Sequence, residues 1–157
     1  MQSTTLPPEP ESDHRPLLPD YLLFQLAAAS DAASAEFHVQ VRQNGLRVPE
    51  YRALVCLHDE DGLMVTRLAD LALMEQSRMT RVVLQMDEAG LVRRADDPRD
   101  RRRVRVYLTA KGRALARRMV AHARAHEASV LGLLPADDRD RLKSLLADLL
   151  DVLSAQT

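Results

Sequence analysis

Aromatic and sulfur-bearing residues are scarce in this chain. Of 157 residues one is cysteine and none is tryptophan, with two Phe and three Tyr bringing the aromatic share to 3%. A lone Cys56 rules out an internal disulfide framework, and within the apolar run Tyr51-Arg52-Ala53-Leu54-Val55-Cys56-Leu57 it reads as a small buried hydrophobe. Hydrophobic residues still make up 46%, so the core must be built from Leu, Val and Ala, which favours helices. No charged-then-apolar leader and no long apolar span is present, and the expectation is a cytoplasmic protein. Also missing are a Gly-rich phosphate loop, a cysteine–histidine pair with catalytic context and a carboxylate pair on one rigid element, so no enzyme is expected. Length fits one domain, or one lobed domain with tails.

An excess of charge is lacking too, since the net charge is -1. That average conceals an asymmetry. Between Arg93 and Arg118 eleven Lys or Arg face three Asp, while Glu9, Glu11 and Asp13 near the start and Asp137, Asp138, Asp140, Asp148 and Asp151 near the end restore the balance. A local basic patch, and not the net charge, is the electrostatic footprint of a polyanion partner.

The patch belongs to a stretch, residues 65–109, that reads as two short helices and a basic hairpin. Over residues 75–89 Met79, Val82, Val83 and Met86 recur at three- and four-residue spacing and share one helical face. The other face carries Gln76, Ser77, Arg78, Thr80, Arg81 and Gln85, side chains that hydrogen-bond to base edges and phosphates in a DNA major groove. Leu68, Ala69, Leu71 and Ala72 give the preceding helix, residues 66–73, its apolar contacts across a short joint at Met74 and Glu75, a helix-turn-helix arrangement. Gly90 marks the stop. Beyond it Leu91 to Arg94 and the alternating Val104, Val106 and Leu108 flank a tip from Ala95 to Arg101, the signal of a hairpin with one face packed on the helices and Arg103, Arg105 and the tip arginines on the other.

These residues resemble the winged helix-turn-helix of the MarR family (multiple antibiotic resistance regulators). The resemblance rests on Ser77-Arg78-Met79-Thr80-Arg81 running on to Leu84 and Gly90-Leu91, on the wing pair Asp100 and Arg102, and on Leu108-Thr109 with Gly112, and it spans residues 19–153. It implies a mainly α fold with a small β wing, in which long N- and C-terminal helices form a dimerisation layer. It also implies a homodimer that binds double-stranded DNA and represses until a small ligand, commonly an aromatic carboxylate or a phenol, releases it. The operator is then a pseudo-palindrome with half-site centres about one helical turn apart. Gln76, Ser77 and Thr80 are candidates for base contacts, Arg78 and Arg81 for guanine or phosphate, and Arg99, Arg101 and Arg102 for the flanking minor groove, with Asp100 shaping the turn or holding Arg102.

The remaining chain fits that frame. Residues 1–18, with Pro7, Pro8, Pro10 and Pro16 among polar side chains, are expected as a flexible arm. Leu22, Leu26, Ala29, Ala33, Phe37 and Val41 mark a long helix ending near Gly45, Pro49 and Glu50 open the next, and Leu63 to Val65 are placed to add a third strand beside the wing. The expected division is therefore dimerisation helices over 19–45 and 110–154 and a DNA-binding domain over 46–109. A second long helix covers residues 110–131, and after Pro135 the stripe Leu142, Leu145, Leu146, Leu149, Leu150 and Leu153 is too apolar to leave in water.

Between dimer helices and winged domain the resemblance places an effector pocket, for which His38, Arg42, Tyr51, Arg52 and His58 are polar candidates. No cofactor is expected. A zinc-responsive variant of the same fold would draw on His122 and His126, four apart, with His38; the plainer reading of His-Ala-Arg-Ala-His is two solvated histidines. A winged helix serving only protein interaction is the remaining alternative, and it has no need of an arginine wing.

Overall fold

The structure is a computed structural model that describes residues 17–155. These fall into two units divided after Ser34, inside the first helix. Most of the arm expected over residues 1–18 lies outside the described residues; its last residue, Leu18, begins a 3-10 turn, Leu18–Asp20, where the amide of Gln25 donates to the Pro19 carbonyl at 2.6 Å. Helix α1, Leu22–Gln43, follows, and its first half buries nothing: Leu22, Leu23 and Phe24 are all exposed.

The second unit holds the core. From Ala35 the rest of α1 buries Phe37 and Val41, and Gly45, with a left-handed φ of 74°, ends the helix. Helix α2, Val48–Asp59, begins with Pro49 in its first turn, and the Glu50 carboxylate turns back to accept from the Arg47 amide at 2.8 Å. Strand β1, Leu63–Met64, is short because α3, Val65–Leu71, starts at once, and α4, Gln76–Glu88, follows after a tight joint. At that joint Leu73 takes a φ of 54°, a left-handed conformation costly for a residue with a Cβ. Helix α4 stops where periodicity predicts, since Gly90 at φ 70° lets the Leu91 amide reach back to the Met86 carbonyl at 2.9 Å.

Strands β2, Val92–Asp97, and β3, Asp100–Leu108, form the wing, and the third strand expected from Leu63 pairs on the other side of β3, giving the order β1-β3-β2. The strands run further than the sequence suggests. The expected seven-residue tip shrinks to Pro98 and Arg99, because ladder pairing continues to Asp97 opposite Asp100. The register jumps on the way: Asp96 faces Val104 and Asp97 faces Asp100, so Arg101, Arg102 and Arg103 stand on β3 with no facing residue on β2.

Helix α5, Ala110–Leu131, is capped by Thr109, whose hydroxyl accepts from the Gly112 amide at 3.0 Å, and α6, Ala136–Ser154, follows Pro135. The core gathers Leu54, Leu57, Leu68, Met79, Met86 and Met119, all fully buried, and Phe37 is its one buried aromatic among the described residues. Cys56 packs on this core from its edge, half-buried, where loss of water raises its thiol pKa.

Candidate nucleic-acid interface

Helix α4 is held from below and at its C-terminal end. Its four buried residues face the core, and the turn at its end is clamped to the start of α5: the Thr109 hydroxyl lies 2.7 Å from the Gly90 carbonyl, and the Lys111 ammonium donates to the Ala89 carbonyl at 2.8 Å. Gly112 completes the clamp. A Cβ there would stand 1.9 Å from the Leu91 carbonyl oxygen, so only glycine allows α5 to approach so closely.

With one face buried, α4 shows solvent two flanks. On the first, Gln76, Thr80 and Val83 form one wall of a groove of about 470 Å³ whose other lining is Met64, Val65, Thr66, Arg94, Arg102, Arg103 and Val104. The floor is apolar and the wing-side rim is guanidinium. The Thr80 hydroxyl donates to the Gln76 carbonyl one turn back at 2.9 Å, which leaves its oxygen able to accept from a ligand. On the second flank Arg78, Arg81 and Gln85 border a shallower groove of about 350 Å³ together with Arg47, Pro49 and Val82. Ser77 is exposed at the helix start.

The wing supplies the other half. Arg99, Arg101 and Arg102 are exposed, Arg102 with 91% of its side chain in solvent. Asp100 reaches the Arg102 amide at 3.1 Å and its Nε at 3.2 Å, and lies 3.5 Å from Arg103 Nε. The Arg102 amide bond, then its guanidinium, holds the Asp100 carboxyl below the ordinary range. So exposed a pair adds little stability.

One expectation about the wing needs correcting. Arg105 is not presented to solvent beside Arg103. It is half-buried, donating to the Asp97 carboxylate at 2.5 Å and to the Gly62 carbonyl at 2.8 Å. Asp97, 3% exposed, also accepts from the Arg99 amide at 2.8 Å, and these bonds lower its pKa. The cause is local: a wing tip too narrow for an apolar core is filled by an ion pair instead. Arg93 likewise lies over the Tyr107 ring, 4.3 Å from its centroid. The sequence offered only Asp97-Pro98 as a hint, and for Arg47, Arg94, Arg103 and Thr66 no local pattern separates a groove residue from a solvated one.

The expected effector residues lie on α1 and α2. His38, Tyr51 and His58 are half-buried, Arg42 and Arg52 exposed, and neither groove beside α4 includes any of them. Tyr51 packs edge-on against Phe37 with centroids 5.0 Å apart, and desolvation raises its pKa. The plain reading of both α5 histidines as solvated fails for one of them: His122 is exposed, but His126 is half-buried and stacked on Phe37 at 5.3 Å. Among the described residues no three of His, Cys, Asp and Glu are placed to hold one metal ion. No described helix is long and apolar enough to cross a membrane.

Known proteins align closely with this arrangement. The model of the MarR family matches residues 46–104, which include β1, α3, α4 and most of the wing. The HTH-type transcriptional repressor Rv2887 of Mycobacterium tuberculosis is 33% identical over 88% of this chain and 96% of its own. Its structure in complex with salicylic acid superposes with a TM-score of 0.67, 32% identity and coverage of 82% of this chain and 95% of that one. A crystal structure of a MarR family transcriptional regulator from Silicibacter pomeroyi DSS-3 is 58% identical, with a TM-score of 0.79, over 87% of this chain and 97% of that one. The Bordetella bronchiseptica regulator BpsR, whose structure concerns control of its DNA binding by 6-hydroxynicotinic acid, is 26% identical with a TM-score of 0.72 over 80% and 95% of the two chains.

Proposed function

The chain belongs to the MarR family of DNA-binding winged helix-turn-helix transcriptional regulators, which are not enzymes, and on that premise we propose that it is a homodimeric repressor of a pseudo-palindromic operator, released by a small aromatic acid. The observation that carries the DNA reading is the shared face of α4 and the wing, where Gln76 and Thr80 stand across one groove from Arg94, Arg102 and Arg103. Amide and hydroxyl groups on a helix suit base edges, and guanidinium groups beside it suit phosphates and a narrowed minor groove. In this reading Gln76, Ser77 and Thr80 sit on the bases, Arg78 and Arg81 on guanine or phosphate, and Arg99, Arg101 and Arg102 flank them. Two such faces related by a twofold axis meet successive major grooves about one turn apart.

Support for the dimer comes from α6, which has no buried residue although Leu142, Leu145, Leu146 and Leu150 are 37–64% exposed. A second copy is the partner that covers such a stripe in this reading. Support for the effector comes from relatives studied with salicylic acid and with 6-hydroxynicotinic acid, both aromatic carboxylic acids. Phe37, Tyr51 and His126 form an aromatic cluster against which such a ring can stack, and His38, Arg42, Arg52 and His58 are the candidates for its carboxylate. No cofactor takes part.

The test is a fluorescence-anisotropy titration against the duplex upstream of the protein's own gene, repeated with a panel of aromatic acids, with zinc and with a chelator. Tight binding relieved by one aromatic acid is expected. Relief by zinc alone would move the switch to His38, His122 and His126, and the absence of DNA binding would leave a protein-interaction module.

A further inference from the structure

Asp61 stands where three elements meet. It follows α2, precedes β1, and its carboxylate is spent on both the wing and α5. Oδ1 accepts from the Gly62 amide at 3.1 Å and from the Leu108 amide, at the base of β3, at 2.8 Å. Oδ2 accepts from Nη2 of Arg113, in the first turn of α5, at 3.0 Å. The contact continues outward through Gly62. Its amide donates to the Val106 carbonyl at 3.0 Å and its carbonyl accepts from Nη1 of Arg105 at 2.8 Å. Arg105 then holds Asp97, and Asp97 holds the Arg99 amide at the tip. An unbroken line of polar contacts therefore runs from α5 through Asp61 to the backbone of Arg99 at the wing tip.

The outer wing has little else to fix its direction. From Ala95 to Arg103 the only buried residue is Asp97, and a lone two-stranded ribbon is marginal without an apolar face to pack. At the base the chain has no slack. Gly62 sits at φ 79°, and a Cβ on it would lie 2.7 Å from the Tyr107 ring, so the turn that carries Asp61 is pressed onto β3.

We infer that Asp61 is a positioning residue, the joint through which the end of α2 and the start of α5 together set the angle of the wing. A shift of α5 against α2 is then passed to Arg99, Arg101 and Arg102. This rests on the DNA-binding reading for its purpose, though not for its geometry. The Asp61–Arg113 ion pair, with side chains 30% and 48% exposed, would stabilise little by itself. Its importance is directional, since the same carboxylate is already fixed by two backbone amides.

Three substitutions separate these parts. Asp61→Asn keeps an oxygen for both amides and loses the ion pair; Asp61→Ala loses everything; Arg113→Met removes the α5 end alone. Hydrogen–deuterium exchange on the full chain is the first readout. Amides of residues 93–105 should exchange about tenfold faster or more in Asp61→Ala and by a smaller factor in Asp61→Asn and Arg113→Met, with α2 and α4 unchanged. The second readout is DNA affinity against salt, whose log–log slope should flatten by about one or two phosphate contacts in Asp61→Ala. Wing exchange equal to wild type in all three variants overturns the inference, and so does an equal rise throughout α2 and α4, which would mark Asp61 as an ordinary fold residue. Should wild type itself bind no duplex, the DNA reading falls while the exchange data still decide the joint. If Asp61→Ala does not fold, the other two variants carry the same comparison.

Discussion

Helices α4 and α6 carry the same kind of apolar stripe and meet opposite fates. In α4 Met79, Val82, Val83 and Met86 are at most 5% exposed, whereas in α6, six residues longer at 19, Leu145 and Leu150 remain 56% and 64% exposed. Periodicity states which face of a helix needs cover, and is silent on whose side chains provide it. The difference separates a helix whose stripe is covered within one chain from a helix whose stripe is not.

Breaking the α6 side of that comparison should have the largest effect. With Leu146→Asp and Leu150→Asp combined, two carboxylates enter a face that the proposed dimer makes dry, at a cost of several kcal/mol each. The dimer should weaken by more than about a thousandfold, and sedimentation should show monomer. An unchanged mass would mean that the stripe is covered by something else. On the α4 side, Gly112→Ala forces a methyl group into the Leu91 carbonyl and should cost about 3 kcal/mol or more in urea unfolding. A loss below about 1 kcal/mol would show that α5 can back away from α4, contrary to the clamp described above.

Much of this was legible beforehand, and for a physical reason. The helices announced themselves through local signals, Pro49 and Glu50 at one start and Gly90 at a stop, each acting within a few residues. Even the need for Gly112 was visible as a motif, although its cause, the 1.9 Å approach of Leu91, joins residues 21 apart in sequence and shows only in the fold. The wing was harder. Alternation correctly placed Val106 and Leu108 inward, but Val104 is only half-buried along the groove beside α4, and Arg105 was assigned to solvent because period-two reasoning cannot foresee a buried Asp97 across the ladder. Asp61 carries no local signal beyond standing in an Asp-Gly dipeptide, because its partners Leu108 and Arg113 are 47 and 52 residues away. The two grooves flanking α4 were also invisible, since each is assembled from elements up to about forty residues apart.

Smaller effects sharpen the picture of the recognition face. Arg102→Ala should lower the slope of log affinity against log salt by about one and weaken binding to all sequences alike, which titrations on two unrelated duplexes would check. A change in sequence preference would instead place Arg102 on a base. Smallest of all, Leu73→Asn should stabilise the chain by up to about 1 kcal/mol, because Asn tolerates the left-handed joint between α3 and α4 that Leu occupies under strain. Thermal unfolding decides this one, and destabilisation would show that the 82% exposed Leu73 side chain makes a contact worth more than its strain.

The central claim is that two copies present α4 and the arginine wing to one face of duplex DNA. Selection of bound duplexes from a random-sequence pool, followed by salt titration of the winner, tests it most directly. The account predicts an inverted repeat with half-site centres about 10 base pairs apart and an affinity that falls steeply and linearly on the log–log plot. A pool that enriches no twofold motif, together with binding indifferent to salt, would contradict it.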